Sequence, residues 1–569
     1  MKRILPLVLA LLLLCGCGSP AAQPEATETL PAATDAPVVI PQTDPIPYVS
    51  RFDSETVIHL SDAGVDVTGS NSAAVTLSND IIYYEDRDTY ESGNPYGEGS
   101  SADKHTREEA EKHTVVNITR SGAYRISGQL HYGQIRIDLG DDAFTDPDAV
   151  VELILDNADL TCTVAPAILF MNVYECDGNW SEETATPDVD TSAAGANLVL
   201  EGENTVTGSY VAKIYKDKDG QKKLWKQDGA IYSYMSMNVF GNGALTLNAA
   251  NEGLDTELHV TINGGDITIL ADNDGINTNE DNVSVTTINA GTLHIVAGLG
   301  QEGDGIDSNG YLVINGGTVI SAAKPMSDSG LDSDRGSFIH GGVVIATGAA
   351  MDWAETDSKQ VTLNLQFSQR QNGALRITAE DGTEIFSFDP AADEVLKDYP
   401  RGYQGVVIST PAFNIGDSYH VYCDGVQMMY TSTDVMRGPA GMGGFGGGKG
   451  QRPEGGMPNW GGDRKPENSE QRGDRGFNGQ MPPDGFDGEM PEGFENFNGF
   501  DGEMPEGFEN FNGFDGQRPE WGGGQMPPEG FGGNFDSRGP EGQFSSNGGN
   551  TVFYMQDKVN FFSGLTAAE

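Results

Sequence analysis

The sequence predicts an all-β chain whose main body is a parallel β-helix. A small antiparallel β-module and a disordered Gly/Pro-rich tail follow it. Two recurring motifs and their shared period carry this reading. A Gly-apolar-(Asp/Asn)-(Ser/Thr) turn appears at 253–256, 275–278, 305–308 and 330–333, its glycines 22, 30 and 25 residues apart. A strand-turn-strand unit recurs beside it, centred on Phe240, Ile262, Ile288, Ile314 and Ile339, which advance by 22, 26, 26 and 25 residues. Short β-branched strands and Gly turns at this period match one coil of a parallel β-helix.

From the N-terminus, Lys2 and Arg3 precede an apolar run from Ile4 to Leu14, too short to span a bilayer as a mature helix. Leu14-Cys15-Gly16-Cys17 follows and resembles the lipobox of bacterial lipoproteins. Residues 1–16 are therefore expected to be a lipoprotein signal peptide. Cys17 becomes the lipidated residue that anchors the chain to the extracellular face of the cell membrane. Residues 17–50, rich in Ala, Pro, Thr and Glu, read as a flexible tether.

The β-helix is assigned to residues 51–358. Its early coils are degenerate: Val115–Thr119, Ala123–Gly128, Gln134–Ile137, Glu152–Leu155 and Asn197–Leu200 read as strands. The charged stretches 85–112 and 213–226 read as surface loops. One coil cannot bury its apolar side alone, so stacking should place Phe240, Ile262, Ile288, Ile314 and Ile339 in one interior ladder. Asn263, Asn289 and Asn315 should stack at a corner with their amides bonded between coils. The glycine after each fits a bend that needs positive φ. A leucine-rich solenoid lacks its Leu-x-x-Leu-x-Leu signature here, and a β-sandwich would not repeat positions so closely.

Residues 359–436 change character and suggest the β-module, capping the solenoid's open end. Residues 437–550 are low complexity, with a perfect 14-residue repeat at 486–499 and 500–513. They are assigned to disorder. Residues 551–569 regain apolar character and are expected to dock as a strand.

The net charge of −52, from 85 acids against 33 bases, argues against nucleic acid as a partner and favours cations. Beyond the two in the signal region, Cys162, Cys176 and Cys423 imply no disulfide framework, a Cys162–Cys176 bridge being the alternative to three unpaired thiols.

Acids sit at fixed places in the Gly turns. One row is Asp255, Asn277, Asp307 and Asp332; another, just before the glycine, is Glu252, Asp274 and Asp304, ending in Ser329. Coils stack about 4.8 Å apart. Bare carboxylates that close repel, whereas calcium, with oxygen ligands at about 2.3–2.6 Å, spans the gap. The expected ligands of Ca2+ are Asp255, Asp274, Asn277, Asp304, Asp307 and Asp332. The alternative is that these acids only bond turn amides.

The order of Gly122–Gly128, Gly133–Ile137, Asp228–Ile231 and the repeated Ile-Asn-Gly-Gly and Asp-Gly-Ile units resembles a bacterial family of carbohydrate-binding β-helix lipoproteins. The resemblance covers about residues 60–430. It implies a right-handed parallel β-helix similar to pectate lyases, calcium in the Asp-Gly turns, and binding of a cellulose-like or acidic polysaccharide of a plant or bacterial cell wall. Asn277 and Ser329 depart from the acidic pattern. Fold alone does not make a lyase. Uronate elimination would need a Lys or Arg base, and between Gly229 and Ala350 only Lys324 and Arg335 qualify. The expectation is binding without catalysis. A calcium-dependent uronate lyase and a structural or adhesive surface protein are the alternatives. Trp225, Tyr232, Tyr234 and Tyr311 are candidate sugar-stacking platforms.

Overall fold

The computed structural model describes residues 44–84, 103–212, 214–215, 222–223, 226–300, 302–325, 328–349, 352–433 and 549–568. The expected signal peptide, Cys17, most of the tether, Trp225 and nearly all of the low-complexity tail lie outside the described residues. Among the described residues the chain is all-β, with one single-turn helix at Arg107–Ala110 and three short 3-10 turns besides its strands. No helix among them is long and apolar enough to cross a membrane.

Successive strands pair in parallel, in register, in three ladders. The first contains Ala196–Glu201, Met237–Gly241, Val260–Ile262, Val285–Ile288, Tyr311–Ile314 and Gly336–Ile339. The second contains Glu203–Gly208, Ala244–Ala249, Asp266–Ala271, Thr292–Val296, Thr318–Ala322 and Val343–Gly348. The third contains Ile168–Asn172, Gly229–Ser233, Glu252–Thr256, Ile276–Thr278, Ile306–Ser308 and Asp332–Ser333. Each coil supplies one strand to each ladder, so like residues meet like residues. Alternation then sends one set inward. Leu254, Ile276 and Ile306 of the third ladder face Ile262, Ile288 and Ile314 of the first in one fully buried core. Each such side chain contributes roughly 1.5–3 kcal/mol by burial.

The interior row of the first ladder runs Leu198, Val239, Ile262, Ile288, Ile314, Ile339. Phe240 is not in it, contrary to the sequence reading. Val239 pairs with Ile262, and Phe240 lies on the outer side against Tyr48, ring centroids 4.8 Å apart. The turn after Phe240 holds one more residue than the next turn: Val239 to Leu245 is six steps, Ile262 to Ile267 five. Aligning on the glycines therefore shifts the strand by one.

The asparagine ladder forms as expected. Asn289 Nδ2 donates to Asn263 Oδ1, and Asn315 Nδ2 to Asn289 Oδ1, both at 2.9 Å. The bend glycine, however, is the second residue after each asparagine. Gly265, Gly291 and Gly317 have φ of 96°, 95° and 80°.

Both ends of the stack change to antiparallel pairing. Glu55–Leu60 pairs in parallel with Gly122–Leu130 and antiparallel with Asp66–Gly69. Val75–Ser78 pairs antiparallel with Thr114–Ile118. At the far end Tyr403–Ser409 pairs antiparallel with Val343–Gly348 and with Thr362–Gln371. The module is mixed rather than purely antiparallel, because Val559–Ala567 runs parallel to Thr362–Gln371. The final segment thus docks as a strand inside the module. A second core joins Ile320, Val343 and Ile345 to Leu363, Phe367 and Val406.

The tether ends earlier than residue 50. The Ile46 N–H donates to the Asn263 carbonyl at 2.8 Å, and the Arg51 N–H to Glu152 Oε1 at 2.8 Å. Tyr48 and Phe52 pack on Ile154 and Val199. Apolar residues at 46, 48 and 52 let this segment lie on the coils.

Candidate functional site

The third ladder carries the acids. Its alternation turns Ile231, Leu254, Ile276 and Ile306 inward, which leaves their successors for the opposite side. Asp255, Asn277, Asp307 and Asp332 are consecutive register partners, so the predicted row exists. Asp255 and Asn277 are buried, Asp307 and Asp332 half-buried. The second row lies across the same turns. The N–H groups of Gly253, Gly275 and Gly305 donate to the carbonyls of Asp274, Asp304 and Ser329, one coil on.

Some of these acids do bond turn amides. The Asp304 N–H donates to Asp274 Oδ1 at 2.6 Å and the Ser329 N–H to Asp304 Oδ1 at 2.5 Å. Asn277 Nδ2 donates to Glu252 Oε2 at 3.1 Å, and Asn279 Nδ2 to Asp255 Oδ1 at 2.6 Å. Two oxygens stay unsatisfied while the carboxyls are ionised: Asp255 Oδ2, beside the Glu252 carboxyl, and Asn277 Oδ1 are buried without a hydrogen-bond donor. Leaving such a group unpaired is costly. The sequence did not point to Asp352, whose Oδ2 accepts the Ser333 N–H at 3.1 Å and extends the acids past the last coil. It lies in the connection to the module, outside the repeat.

Charge crowds here. Burial first, and the charge of Asp228 next, pushes Glu252 up to about 7. Burial and then Asp332 push Asp304 and Asp352 up to about 7. Burial, reinforced by Glu252, holds Asp255 and Asp274 well above the usual carboxylate range. Burial and then Asp332 do the same for Asp307. Asp332 is raised by burial and Asp334. The rows cannot all ionise cheaply near neutral pH without a counter-charge.

Among the described residues no three Asp, Glu, His or Cys side chains converge closely enough, as placed, to hold a metal ion. The donor set nonetheless suits a hard cation. It is oxygen-only, two of its oxygens lack partners, and turn carbonyls lie in the same rows. Asp255, Asp274, Asn277, Asp304, Asp307 and Asp332 are the residues of these rows that would hold such a cation.

The basic candidates are engaged otherwise. Lys324 Nζ donates to the Gly300 carbonyl at 2.6 Å. Arg335 lies over the Tyr311 ring, 5.3 Å from its centroid, and reaches the Glu182 carbonyl at 3.3 Å. The three candidate aromatic platforms among the described residues are packing residues. Tyr232 and Tyr311 are buried, and Tyr234 is half-buried edge-on to Tyr232. Cys162, Cys176 and Cys423 are free thiols.

A second feature escaped the sequence reading. A groove of about 530 Å³ runs over the outer side of the first ladder, walled by the asparagine ladder and by residues 187–192. The polar outward positions Asn238, Thr261 and Thr287 recur at the coil period, but the loop that makes the opposite wall belongs to no repeat.

A curated protein of Acetivibrio thermocellus described as a carbohydrate-binding domain-containing protein is 31% identical to this chain over 158 residues. The match covers 27% of this chain and 45% of that protein, so the chain spans less than half the length of the relative. A solved structure described as a polysaccharide lyase-like protein from C. thermocellum, in a gadolinium derivative, is 22% identical, with a TM-score of 0.31, covering 53% of this chain and 93% of that one. Residues 112–384, from the strand Thr114–Ile118 into the module, match the model of a family described as carbohydrate-binding domain-containing protein.

Proposed function

We propose that this chain is a cell-surface polysaccharide-binding protein whose coils wind as a right-handed parallel β-helix stabilised by calcium, and that it binds without cleaving. The observation that carries this reading is the pair of acid rows running across consecutive coils, with Asp255 Oδ2 and Asn277 Oδ1 buried and unpaired among them. The family match over residues 112–384 supports a carbohydrate as the ligand. A lipid on Cys17 would hold the protein at the extracellular face of the membrane, with the coils presented outward. Asp255, Asp274, Asn277, Asp304, Asp307 and Asp332 are the proposed calcium ligands.

An array of immobilised plant and bacterial cell-wall polysaccharides, probed with the full chain with and without calcium, tests the reading. Retention of at least one polysaccharide is expected, with no release of unsaturated uronate products. Release of those products would replace it with the lyase reading. Retention of none would remove the carbohydrate. Cys17→Ala is expected to move the protein from the membrane to the medium; full membrane retention would remove the lipid anchor.

A further inference from the structure

The groove on the first ladder has the form of a binding site for an extended chain. Its floor is a register series: Asn238 pairs with Thr261, Thr261 with Thr287, and Thr287 with Val313. One wall is the amide ladder Asn263–Asn289–Asn315. The other is the 187–192 segment. Residues 46–52 occupy the same outer face over the earlier coils, and Ile46, bonded to Asn263, lines the near end of the groove. His340 and Lys359 line the groove too, beside the last coil. A volume of about 530 Å³ falls within the range of ordinary ligand sites.

The walls are fixed in advance. Thr191 Oγ1 lies 2.7 Å from both Asn238 Oδ1 and Thr261 Oγ1, and Asn238 Nδ2 donates to the Thr191 carbonyl at 2.9 Å. Further back on the same loop, buried Trp180 packs beside Tyr311, whose hydroxyl donates to the Ala185 carbonyl at 3.1 Å. Such a wall loses little freedom when a ligand arrives.

The chemistry of the lining selects the ligand. In a ladder, each amide spends one N–H or one lone pair on each neighbour. Asn289 therefore keeps one N–H and one lone pair, and the sequence repeats this pairing about every 4.8 Å along the stack. A sugar hydroxyl both donates and accepts, so a row of them matches the asparagine row and the Thr287 hydroxyl, while Asn238 and Thr261 are already spent on Thr191. Val189, Val313 and Phe240 offer apolar contact for the C–H faces of the rings. Asp188 and Asp190 on the wall outnumber Lys359 at the last coil and disfavour an anionic chain.

We propose that this groove binds a neutral, hydroxyl-rich glycan chain laid along the stacking axis, at a site separate from the acid rows. The proposal rests on the polysaccharide-binding reading and adds to it the place, the direction and the charge class of the ligand.

The test is titration calorimetry on the full chain, in calcium, with soluble neutral β-1,4-linked hexasaccharides of glucose, mannose and xylose, and with hexagalacturonate. At least one neutral hexasaccharide should bind. Thr287→Trp fills the floor and should weaken that binding at least about tenfold while leaving the melting temperature within a few degrees. If Thr287→Trp melts much lower, Val189→Trp on the wall, which leaves the ladder strands untouched, is read in its place. Asp188→Lys should strengthen hexagalacturonate relative to the neutral sugars. Undiminished neutral-sugar binding in the folded variant would overturn the groove, as would binding of hexagalacturonate alone; both leave the polysaccharide-binding reading standing. Failure of every soluble and immobilised polysaccharide to bind would overturn both.

Discussion

The backbone N–H of Asp304 donates to Oδ1 of Asp274 at 2.6 Å, from one coil to the coil before it. Asp304 repeats the arrangement with the Ser329 N–H. One oxygen of each acid therefore does the work of a turn former. Asp255 Oδ2 and Asn277 Oδ1, in the neighbouring register, have no such amide partner.

The first prediction is that calcium stabilises the fold. A ligand that binds only the native state, at about 100 times its dissociation constant, adds about 2.7 kcal/mol. Calcium should raise the melting temperature measurably, and chelator should lower it. Magnesium should substitute poorly, because it demands a tighter octahedral shell. Asp304→Ala combined with Asp307→Ala should remove most of the response. A melting curve unmoved by calcium or chelator, with no calcium binding by calorimetry, would sink the metal and leave the rows as turn formers.

The second prediction concerns pH in the absence of metal. Glu252, Asp304 and Asp352 are pushed up to about 7 in the folded chain, by burial first. Free carboxylates titrate near about 4. Between those values the folded state holds more protons than the unfolded state, so stability falls as pH rises. The contribution is complete below about 4 and lost as pH passes through about 7. Chelated protein should therefore melt at progressively lower temperature from about pH 4.5 to about pH 8, and calcium should flatten the decline. A chelated protein that gains stability over that span would show that these acids are well solvated or compensated.

Much of the stack was legible because its signals are local and repeated. A glycine turn, a β-branched strand and an asparagine return at nearly the same interval, and in-register stacking turns that recurrence into ladders. Ile262, Ile288, Ile314 and Ile339 could be aligned by eye. Phe240 could not, because one extra residue in its turn reverses the alternation and only the pairing shows which neighbour faces inward. Ala290 was a usable clue that the residue directly after each asparagine does not need positive φ. The acid rows were legible because they lie inside the repeat, and Asp352 was missed because it lies outside. The groove depends on Thr191 reaching Asn238 and Thr261, contacts 47 and 70 residues away in sequence that no periodicity encodes.

The third prediction concerns the docking of the module. His294 Nε2 on the second ladder lies 3.4 Å from Asp393 Oδ2 in the module, and both are nearly buried. Burial pushes His294 down, but the hydrogen bond and charge of Asp393 overcome it and leave the imidazole above its usual value. Burial likewise raises Asp393, and the His294 bond leads the effects that hold it below. The histidine's contribution is full below about 6.5 and lost as pH rises through its raised value; the aspartate's is present above about 4 and lost as pH falls through its lowered one. Asp393→Asn keeps an oxygen for the Val395 and Leu396 amides and removes the charge. It should cost about 1–3 kcal/mol near pH 5.5 and much less near pH 9. An equal cost at both would mean that the pair is held by packing alone.

The fourth prediction separates two adjacent glycines in one turn. Gly317 has φ of 80°, where a side chain is strained, and a Cβ there would stand 2.7 Å from the Gly291 carbonyl oxygen in the preceding coil. Gly291 stands the same way above Gly265, at 2.7 Å. The close approach is therefore a property of the stacking, and relief would require the coils to part. Gly316 occupies the place that Ala290 fills one coil earlier, so a methyl group has a precedent there. Gly317→Ala should destabilise the protein by about 1–3 kcal/mol or more, while Gly316→Ala should stay within about 1 kcal/mol of the parent. Denaturant unfolding of the two variants side by side measures the difference. Equal costs would show that stacked bends in this ladder resist any added methyl group, whichever glycine carries the positive φ.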